Sequence, residues 1–213
     1  MMKTGLDARR EYDRSVLTEE RAGMDPHRFF REWLVEAEDA GEPDHNAMML
    51  STCGPDHVSC RVVLLREADA SGFTFFTNYN SRKAMELEAD PRAALTFFWP
   101  GLERQVRIQG HAERISAAES DAYFRSRPRA SRVGAWASDQ SMEIGDRAAL
   151  EEKVARWNER LHDSEVPRPG HWGGFRVIPV SIEFWQGRPD RMHDRLLFRR
   201  KDDGGWTRSR LQP

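Results

Sequence analysis

The sequence predicts a mainly β protein with flanking helices. Segments rich in Val, Ile, Phe and Thr are separated by Gly, Pro, Asn and Asp, which is the pattern of strands and turns. Their connections are short, which favours an antiparallel barrel over alternating βαβ units. The chain has no G-x-G-x-x-G or P-loop motif, so the sequence also argues against a Rossmann or Walker nucleotide site.

The N-terminal region divides into an arm and a helix. Residues 1–24 are polar and lack periodicity, so we expect an arm that is ordered late or by a partner. Asp25 followed by Pro26 is a typical helix start. Apolar residues then follow at helical spacing, and Gly41 ends the pattern.

The central and C-terminal regions contain the predicted strands and the remaining helices. Strands are expected at 46–52, 58–67, 72–78, 92–99, 104–115, 175–187, 196–201 and 206–211. Helices are expected at about 82–89 and within 116–163, where Ser116 and Glu119 form a capping box. An apolar stripe in the latter is predicted to be core: Leu150, Val154, Trp157 and Leu161. No repeat or linker is evident, so residues 25–213 are predicted to form one domain.

Composition limits the classes of function. The formal net charge of −2 argues against a general nucleic-acid binder. No apolar run approaches the roughly 20 residues of a membrane span, and the N-terminus lacks the apolar region of a secretory signal. Cys53 and Cys60 are too few for a disulfide framework and match no common zinc spacing, so we expect a cytoplasmic protein without a metal.

The loop from Asn78 to Lys83 is a candidate anion site. It joins a strand to a helix N-terminus, where free backbone N–H groups and the helix dipole favour negative charge. Arg82 and Lys83 add two cations. From this loop alone, a solvated turn is an equally good interpretation.

A second cluster is suited to a phosphate monoester. Tyr123, Arg127 and Ser131 recur every four residues and would share one helical face if Pro128 only opens a new turn. Gln140 and Ser141 add hydrogen-bonding groups. A basic stripe for RNA is the competing interpretation, weakened by the acidic residues around it.

A third cluster, residues 191–195, lies between two predicted strands. It reads Arg-Met-His-Asp-Arg, which is typical either of a solvated hairpin or of an anion site. Together the three clusters predict a phosphorylated cofactor and a phosphorylated substrate.

These stretches, taken in order, carry a family resemblance. They are RREY (9–12), RVVLL (61–65), FFTNYNSRKAMELEADPRAALTFFW (75–99), ERQVRIQG (103–110), YFRSRPRASRVGAWASDQS (123–141), VPRPGHWGGFRVIPVSIEFWQGR (166–188), RMHDR (191–195) and RLQP (210–213). The chain resembles the pyridoxine/pyridoxamine 5′-phosphate oxidase family, flavin enzymes that make pyridoxal 5′-phosphate. The resemblance implies an FMN-binding split β-barrel that forms a homodimer, with FMN between the subunits.

The resemblance also implies which residues hold FMN, some of them from the second subunit. They are Arg61, Val62, Val63, Leu64, Leu65, Arg66, Phe76, Thr77, Arg82, Lys83, Gln105, Gln140, Ser141, Trp185 and Arg195. Of these, Arg66 departs from the lysine that is usual in the family.

The implied substrate residues form a second set. The phosphate would contact Arg66, Tyr123, Arg127 and Ser131. The pyridine ring would contact the catalytic residues Arg191 and His193 together with Met192, and the arm Arg9, Arg10, Glu11 and Tyr12 would close over it. Strand alternation would put residues 191, 193 and 195 on one side and Asp194 on the other.

The implied reaction is oxidation of pyridoxine or pyridoxamine 5′-phosphate to pyridoxal 5′-phosphate, with O2 reduced to H2O2 and ammonia released from the amine. Three alternatives stay open at this point. They are a split-barrel flavin oxidoreductase with another substrate or a deazaflavin, a non-catalytic carrier of pyridoxal phosphate, and an RNA-binding module.

Overall fold

The computed structural model describes residues 11–162 and 164–213. The described chain is mainly β with helices beside the strands, which confirms the predicted fold class. The strands are β1 (Ala47–Cys53), β2 (Val58–Leu64), β3 (Glu67–Asp69), β4 (Gly72–Asn78), β5 (Arg92–Trp99), β6 (Arg104–Arg114), β7 (Trp172–Gln186), β8 (Asp194–Arg200) and β9 (Trp206–Arg210). The helices are α1 (Glu19–Ala22), α2 (Pro26–Asp39), α3 (Arg82–Ala89), α4 (Ala117–Ser126), α5 (Arg129–Ala137) and α6 (Arg147–Arg160).

Local signals in the sequence place most of these elements correctly. Asp25 caps α2 by accepting hydrogen bonds from the backbone N–H groups of His27 and Arg28. Ser116 and Glu119 form the predicted capping box of α4. The predicted strand 58–67 divides at Leu65 and Arg66 into β2 and β3.

The strands pair in the order β2-β1-β5-β6-β7-β4-β3, and β8 pairs with both β7 and β9. Antiparallel registers include Phe75 opposite Phe175 in the β4–β7 pair and Trp185 opposite Arg195 in the β7–β8 pair. Among the described residues, none of the helices is long and apolar enough to cross a membrane.

The chain divides into two compact units. The first contains described residues 11–48, 95–109 and 179–213, and the second contains 49–94 and 110–178. The aromatic core of the first unit joins helix α2 to strands β5, β7 and β8. Phe29 lies 4.7 Å from Phe184 between ring centroids, and Phe30 lies 5.0 Å from Phe97. These rings are fully buried, so they supply much of the apolar area that holds α2 in place.

A buried arginine also fixes α2 in the first unit. Arg104 donates to Glu36 at 2.6 Å and to Gln186 at 3.0 Å, and its guanidinium lies 4.5 Å from the centroid of the Trp33 ring. Arg21 donates to the other oxygen of Glu36 at 2.7 Å. The Arg104 side chain is only 5% exposed, so losing its partners would leave a buried charge uncompensated.

The N-terminal residues that the structure describes contact the C-terminal strands of the same unit. Leu17 is buried, and its backbone N–H donates to Asp194 at 3.1 Å. Arg210 donates to Glu19 at 2.7 Å. The arm predicted for residues 1–24 lies partly outside the described residues, and its role stays a prediction.

The second unit has its own core around α4, α5 and β7. Phe124, Val133 and Trp172 are buried in it, and Trp157 and Leu161 of α6 pack partly against it. The prediction that the apolar stripe on α6 is buried core was wrong. Val154 is 38% exposed, and none of the α6 residues that the structure describes is buried. The helix lies on the surface of its unit, so its apolar side covers the cluster without entering it.

Replacing Arg104 tests the anchor in the first unit. We expect Arg104→Ala to lower the free energy of unfolding by about 2–4 kcal/mol, because the variant removes a buried side chain packed on Trp33 and leaves Gln186 Oε1 without its donor. Urea denaturation at fixed protein concentration measures this change. Arg92→Ala is the matched control: Arg92 pairs with Asp90 at 2.5 Å but its side chain is 70% exposed, so its midpoint should hardly move. Equal losses in the two variants would contradict the anchor.

Candidate active site

A cavity of about 630 Å³ lies in the second unit. It falls in the usual size range for small-molecule sites. Its lining comes from strands β2, β4 and β7, helices α3, α4 and α5, and the segments that follow β2, α4 and α5. The lining residues are Arg61, Val62, Val63, Leu64, Arg66, Phe76, Thr77, Asn78, Lys83, Tyr123, Arg127, Ser131, Gly134, Ala135, Ser138, Gln140 and Trp172.

The structure brings together most of the predicted cofactor and phosphate residues of this unit. Twelve of them line the cavity: Arg61, Val62, Val63, Leu64, Arg66, Phe76, Thr77, Lys83, Tyr123, Arg127, Ser131 and Gln140. Three other predicted residues, Leu65, Arg82 and Ser141, do not line it. Leu65 is buried, and the backbone N–H of Arg82 at the start of α3 donates to Ser141 Oγ at 3.2 Å.

The predicted helical spacing of Tyr123, Arg127 and Ser131 was wrong, although all three side chains line the cavity. Helix α4 ends at Ser126, and Arg127 and Pro128 have extended backbone conformations before α5 begins. The residue before a proline is pushed out of the helical region, which explains the break. The turn between two helices therefore brings the three residues to one cavity.

An aromatic stack holds two guanidinium groups at the cavity wall. Phe76 and Tyr123 stack with centroids 3.9 Å apart, and Trp172 lies 5.4 Å from Phe76. Arg127 lies 4.5 Å from the Trp172 centroid, and Arg66 lies 5.9 Å from that of Tyr123. Cation–π contacts orient these cations without neutralising them.

Arg127 keeps an unused hydrogen-bond donor. Its Nη1 atom is buried and has no hydrogen-bond partner within the described part of the chain. Burial and the nearby Arg66 lower the pKa of Arg127, although Tyr123 opposes this. A buried donor without a partner is costly, so this atom indicates a site for an acceptor that the protein itself does not supply.

The charge of the cavity lining is one-sided. Arg61, Arg66, Lys83 and Arg127 contribute cations, and no carboxylate lines the cavity among the residues that the structure describes. Like charges in a partly desolvated space repel each other. An anionic ligand would relieve that repulsion.

The effect of this charge imbalance is clearest at Lys83. Its Nζ atom donates to Gln140 at 3.0 Å and to Thr77 and Ser81 at 3.3 Å, all neutral acceptors. Burial, followed by the charge of Arg61, lowers the pKa of Lys83 from 10.5 to about 8, with Glu86 opposing the shift. An anion beside Nζ would favour the charged form and raise this pKa.

Several residues near or in the cavity were not predicted. Ser138 and Trp172 line it, and the carboxylate of Glu86 binds both Arg61 and Arg82. The spacing of Arg82 and Glu86 on one helix face was the available signal for the last contact. The others depend on which chain segments meet in the fold, which spacing does not reveal.

The predicted ring-binding residues lie in the first unit. Trp185 and His193 have ring centroids 4.6 Å apart, and Tyr12 lies 5.8 Å from each. Gly187 permits this approach, because a Cβ there would lie 2.7 Å from Tyr12 Cγ. The backbone N–H of Arg188 donates to His193 Nδ1 at 3.1 Å, so neutral His193 carries its proton on Nε2.

The alternation predicted for residues 191, 193 and 195 was wrong. Residues Pro189–Arg191 form a 3-10 turn, with Asp190 at φ 53° and Arg191 at φ 61°, and β8 begins only at Asp194. Arg191 is exposed on this turn. Burial and the charge of Arg191 lower the pKa of His193, which favours its neutral form.

The two charged residues that follow make separate ion pairs. Asp194 accepts from Arg210 at 2.7 Å. Arg195 donates to Glu183 at 2.8 Å, and Glu183 also accepts from Arg107. Glu183, which binds both Arg107 and Arg195, therefore fixes the orientation of the Arg195 side chain.

The remaining predicted residues are only partly described. Arg9 and Arg10 lie outside the described residues. Glu11 and Met192 are exposed, and Gln105 is half-buried on β6. Cys53 and Cys60 are free thiols, and the described residues contain no cluster of His, Cys, Asp and Glu able to hold a metal ion.

Two family profiles match the chain. One described as "Pyridoxamine 5'-phosphate oxidase" covers residues 34–161. The chain belongs to this family. A second, described as "Pyridoxine 5'-phosphate oxidase C-terminal dimerisation region", covers residues 172–213 and therefore β7, β8 and β9. The recognised family resemblance is confirmed.

Curated relatives match along the whole chain. The "Pyridoxine/pyridoxamine 5'-phosphate oxidase 1" of Ralstonia nicotianae is 55% identical over 213 residues, covering 100% of both chains. The "Pyridoxine/pyridoxamine 5'-phosphate oxidase" of Thermosynechococcus vestitus is 56% identical over 208 residues, covering 97% of this chain and 98% of the relative.

Solved structures share the fold. PhzG from Burkholderia lata 383, in complex with tetrahydrophenazine-1-carboxylic acid, has a TM-score of 0.88 at 29% identity, covering 95% of this chain and 100% of that chain. A pyridoxamine 5′-phosphate oxidase-related, FMN binding protein from Nostoc punctiforme has a TM-score of 0.71 at 18% identity, covering 90% of this chain and 100% of that chain. The predicted split-barrel fold is confirmed.

Direct titration of Lys83 tests the charge imbalance of the cavity. The chain has four lysines, so ¹³C-methylation of the amines followed by NMR resolves few signals. We expect one lysine signal, besides that of the α-amino group, to titrate near pH 8, to disappear in Lys83→Arg, and to move to higher pH when inorganic phosphate is added. If the signal lost in that variant titrates above about pH 10, burial does not destabilise this ammonium group.

Proposed function

We propose that the protein is an FMN-dependent oxidase that converts pyridoxamine 5′-phosphate and pyridoxine 5′-phosphate to pyridoxal 5′-phosphate. O2 is the electron acceptor and H2O2 the second product, and the amine substrate also releases ammonia. The observation that carries this proposal is the cavity of the second unit, with four cations and no carboxylate among its described lining residues. Full-length relatives at 55% and 56% identity with this named activity support it.

The residues around Lys83 fit the phosphate of FMN. The Lys83 ammonium group donates to neutral acceptors, and Arg61 on strand β2 lines the same cavity. The N-terminus of α3 offers backbone N–H groups. Thr77 and Gln140 add hydrogen-bonding groups, and Val62 to Leu64 give the flavin an apolar wall. When bound, FMN supplies the hydride acceptor and the site of reaction with O2.

The residues around Arg127 fit the phosphate of the substrate. Its unused Nη1 donor, the Tyr123 phenol and the Ser131 hydroxyl line one cavity, and Arg66 adds a second charge. Charge-assisted hydrogen bonds from guanidinium groups are strong and directional, so they would position the substrate through its phosphate. Positioning is the main contribution that such a site makes when the cofactor carries the redox chemistry.

The chain forms a homodimer through its C-terminal region, and we propose that some site residues come from the second subunit. In this proposal Trp185, Gln105 and Arg195 contact the flavin, and Arg191 and His193 hold the pyridine ring. Neutral His193 would donate its Nε2 proton in a hydrogen bond to the substrate, since Nδ1 already accepts from Arg188. The arm around Tyr12 would close over the ring. A cytoplasmic location is proposed with this function.

A different substrate for the same fold is the second candidate. The PhzG structure is a complex with tetrahydrophenazine-1-carboxylic acid, so a related chain of this fold accommodates a tricyclic ligand. Against that candidate, Arg66 and Arg127 both line the cavity here and suit a phosphate group. A non-catalytic carrier of pyridoxal phosphate would bind the aldehyde but would not oxidise the amine.

An aerobic assay tests the proposed activity. Purified protein with FMN and pyridoxamine 5′-phosphate is expected to form pyridoxal 5′-phosphate and H2O2 in equal amounts. The same assay with unphosphorylated pyridoxamine is the control and should give much less product at equal concentration. Binding of FMN without turnover of either vitamer would reject this substrate and leave the flavin-binding proposal standing.

Replacing Arg127 tests the substrate phosphate site. We expect Arg127→Ala to raise the KM for pyridoxamine 5′-phosphate by about 10- to 150-fold, the loss of a charge-assisted contact worth about 1.5–3 kcal/mol. The affinity for FMN should change less than about twofold, a difference of about 0.4 kcal/mol.

Arg125→Ala is the matched control, because Arg125 is exposed two residues earlier in the chain and does not line the cavity. Its kinetic constants should equal those of the wild type. An unchanged KM in Arg127→Ala would remove Arg127 from the substrate site.

A further inference from the structure

Glu86 is a nearly buried carboxylate that lies next to the cavity without lining it. It stands on α3, its side chain is 6% exposed, and both of its oxygens accept hydrogen bonds. Oε2 accepts from Thr52 at 2.5 Å, from Ser59 at 2.6 Å and from Arg61 at 3.1 Å. Oε1 contacts Arg82 Nε at 3.0 Å and His57 Nε2 at 3.2 Å.

This arrangement joins two arginines from different elements. Arg61 comes from β2 and Arg82 from the first turn of α3, and each is bound to a different oxygen of Glu86. Arg61 is held further by Leu50 O at 3.2 Å and Thr52 Oγ1 at 2.6 Å. These contacts fix the direction of the Arg61 guanidinium.

The carboxylate is held in its charged form. Burial acts to raise the pKa of Glu86, but hydrogen bonds from Ser59, Thr52, His57 and Arg82 lower it to about 2. Its charge offsets the mutual repulsion of Arg61 and Arg82 while they are held close to Lys83. Long arginine side chains lose much rotamer freedom when ordered, and a fixed carboxylate lowers that cost at the moment of binding.

We propose that Glu86 is a positioning residue that orients Arg61 and Arg82 for the phosphate group of the flavin cofactor. The proposal rests on the proposed function, since it assumes that this end of the cavity binds FMN. Glu86 does not touch the cofactor in this account and acts only through the two arginines. Its effect should therefore depend on the phosphate group and not on the flavin ring.

The experiment compares FMN with riboflavin, which has the same ring system and no phosphate. Dissociation constants are measured for both by quenching of flavin fluorescence on the apoprotein. The riboflavin constant divided by the FMN constant gives a ratio that isolates the phosphate contribution. We expect Glu86→Gln to weaken FMN binding at least tenfold and riboflavin binding less than twofold, so the ratio falls. Glu88→Gln is the control on the same helix, because Glu88 pairs with the half-exposed Arg114 and does not contact Arg61 or Arg82 in the described part of the chain.

The outcomes separate the two proposals. Wild-type protein that binds FMN no better than riboflavin would reject the proposed phosphate site itself. Wild-type selectivity that survives unchanged in folded Glu86→Gln would overturn the positioning role of Glu86. If Glu86→Gln does not fold, the same ratio is read in Glu86→Asp, which keeps the charge but shortens the reach. A lower ratio there supports the proposal, and an unchanged ratio rejects it.

A double-mutant cycle adds a readout that general destabilisation would not reproduce. Because Glu86 acts in part through Arg61, the Glu86→Gln change should lower the riboflavin-to-FMN ratio of dissociation constants less in an Arg61→Met background than in the wild type. Full additivity of the two changes would show that Glu86 acts by another route and would overturn the proposal.

Discussion

The main physical constraint on this structure is the repulsion among the cations that lie together in one partly buried cavity. Arg61, Arg66, Lys83 and Arg127 line it without a described carboxylate, and burial together with the charge of Arg61 lowers the pKa of Lys83. A fold stores such repulsion only if the surrounding packing holds the cations in place. The aromatic stack of Phe76, Tyr123 and Trp172 holds the guanidinium side, and hydrogen bonds hold the lysine side.

Carboxylates between pairs of arginines recur through the chain. Glu36 binds Arg21 and Arg104, Glu86 binds Arg61 and Arg82, and Glu183 binds Arg107 and Arg195. Each fixes two long side chains from different segments of one unit with a single acidic group. In a chain with 33 basic and 35 acidic residues, this arrangement orders the arginines near proposed sites while keeping net charge low. It explains how an arginine-rich sequence gives fixed cations and not mobile surface charge.

The sequence predicted what depends on local signals. Strand segments, the cap of α2 and the capping box of α4 follow from residue type and spacing, and the structure agrees. The grouping of the cavity residues was predicted mainly through the family resemblance, because spacing alone put Arg127 on a helix that it does not join. The turn at Asp190 and Arg191 was missed, since neither residue is the glycine that usually marks positive φ. Glu86 was missed because Thr52, Ser59 and α3 meet only in the folded unit.

A crystal structure with FMN and pyridoxal 5′-phosphate bound would test the central claim most directly. We expect two phosphate groups in the cavity of the second unit, one within hydrogen-bond distance of Lys83 Nζ and the other accepting from Arg127 Nη1. Ligands bound with both cations still in contact only with protein atoms would contradict it. In that case the positive charge of the cavity would need a different explanation.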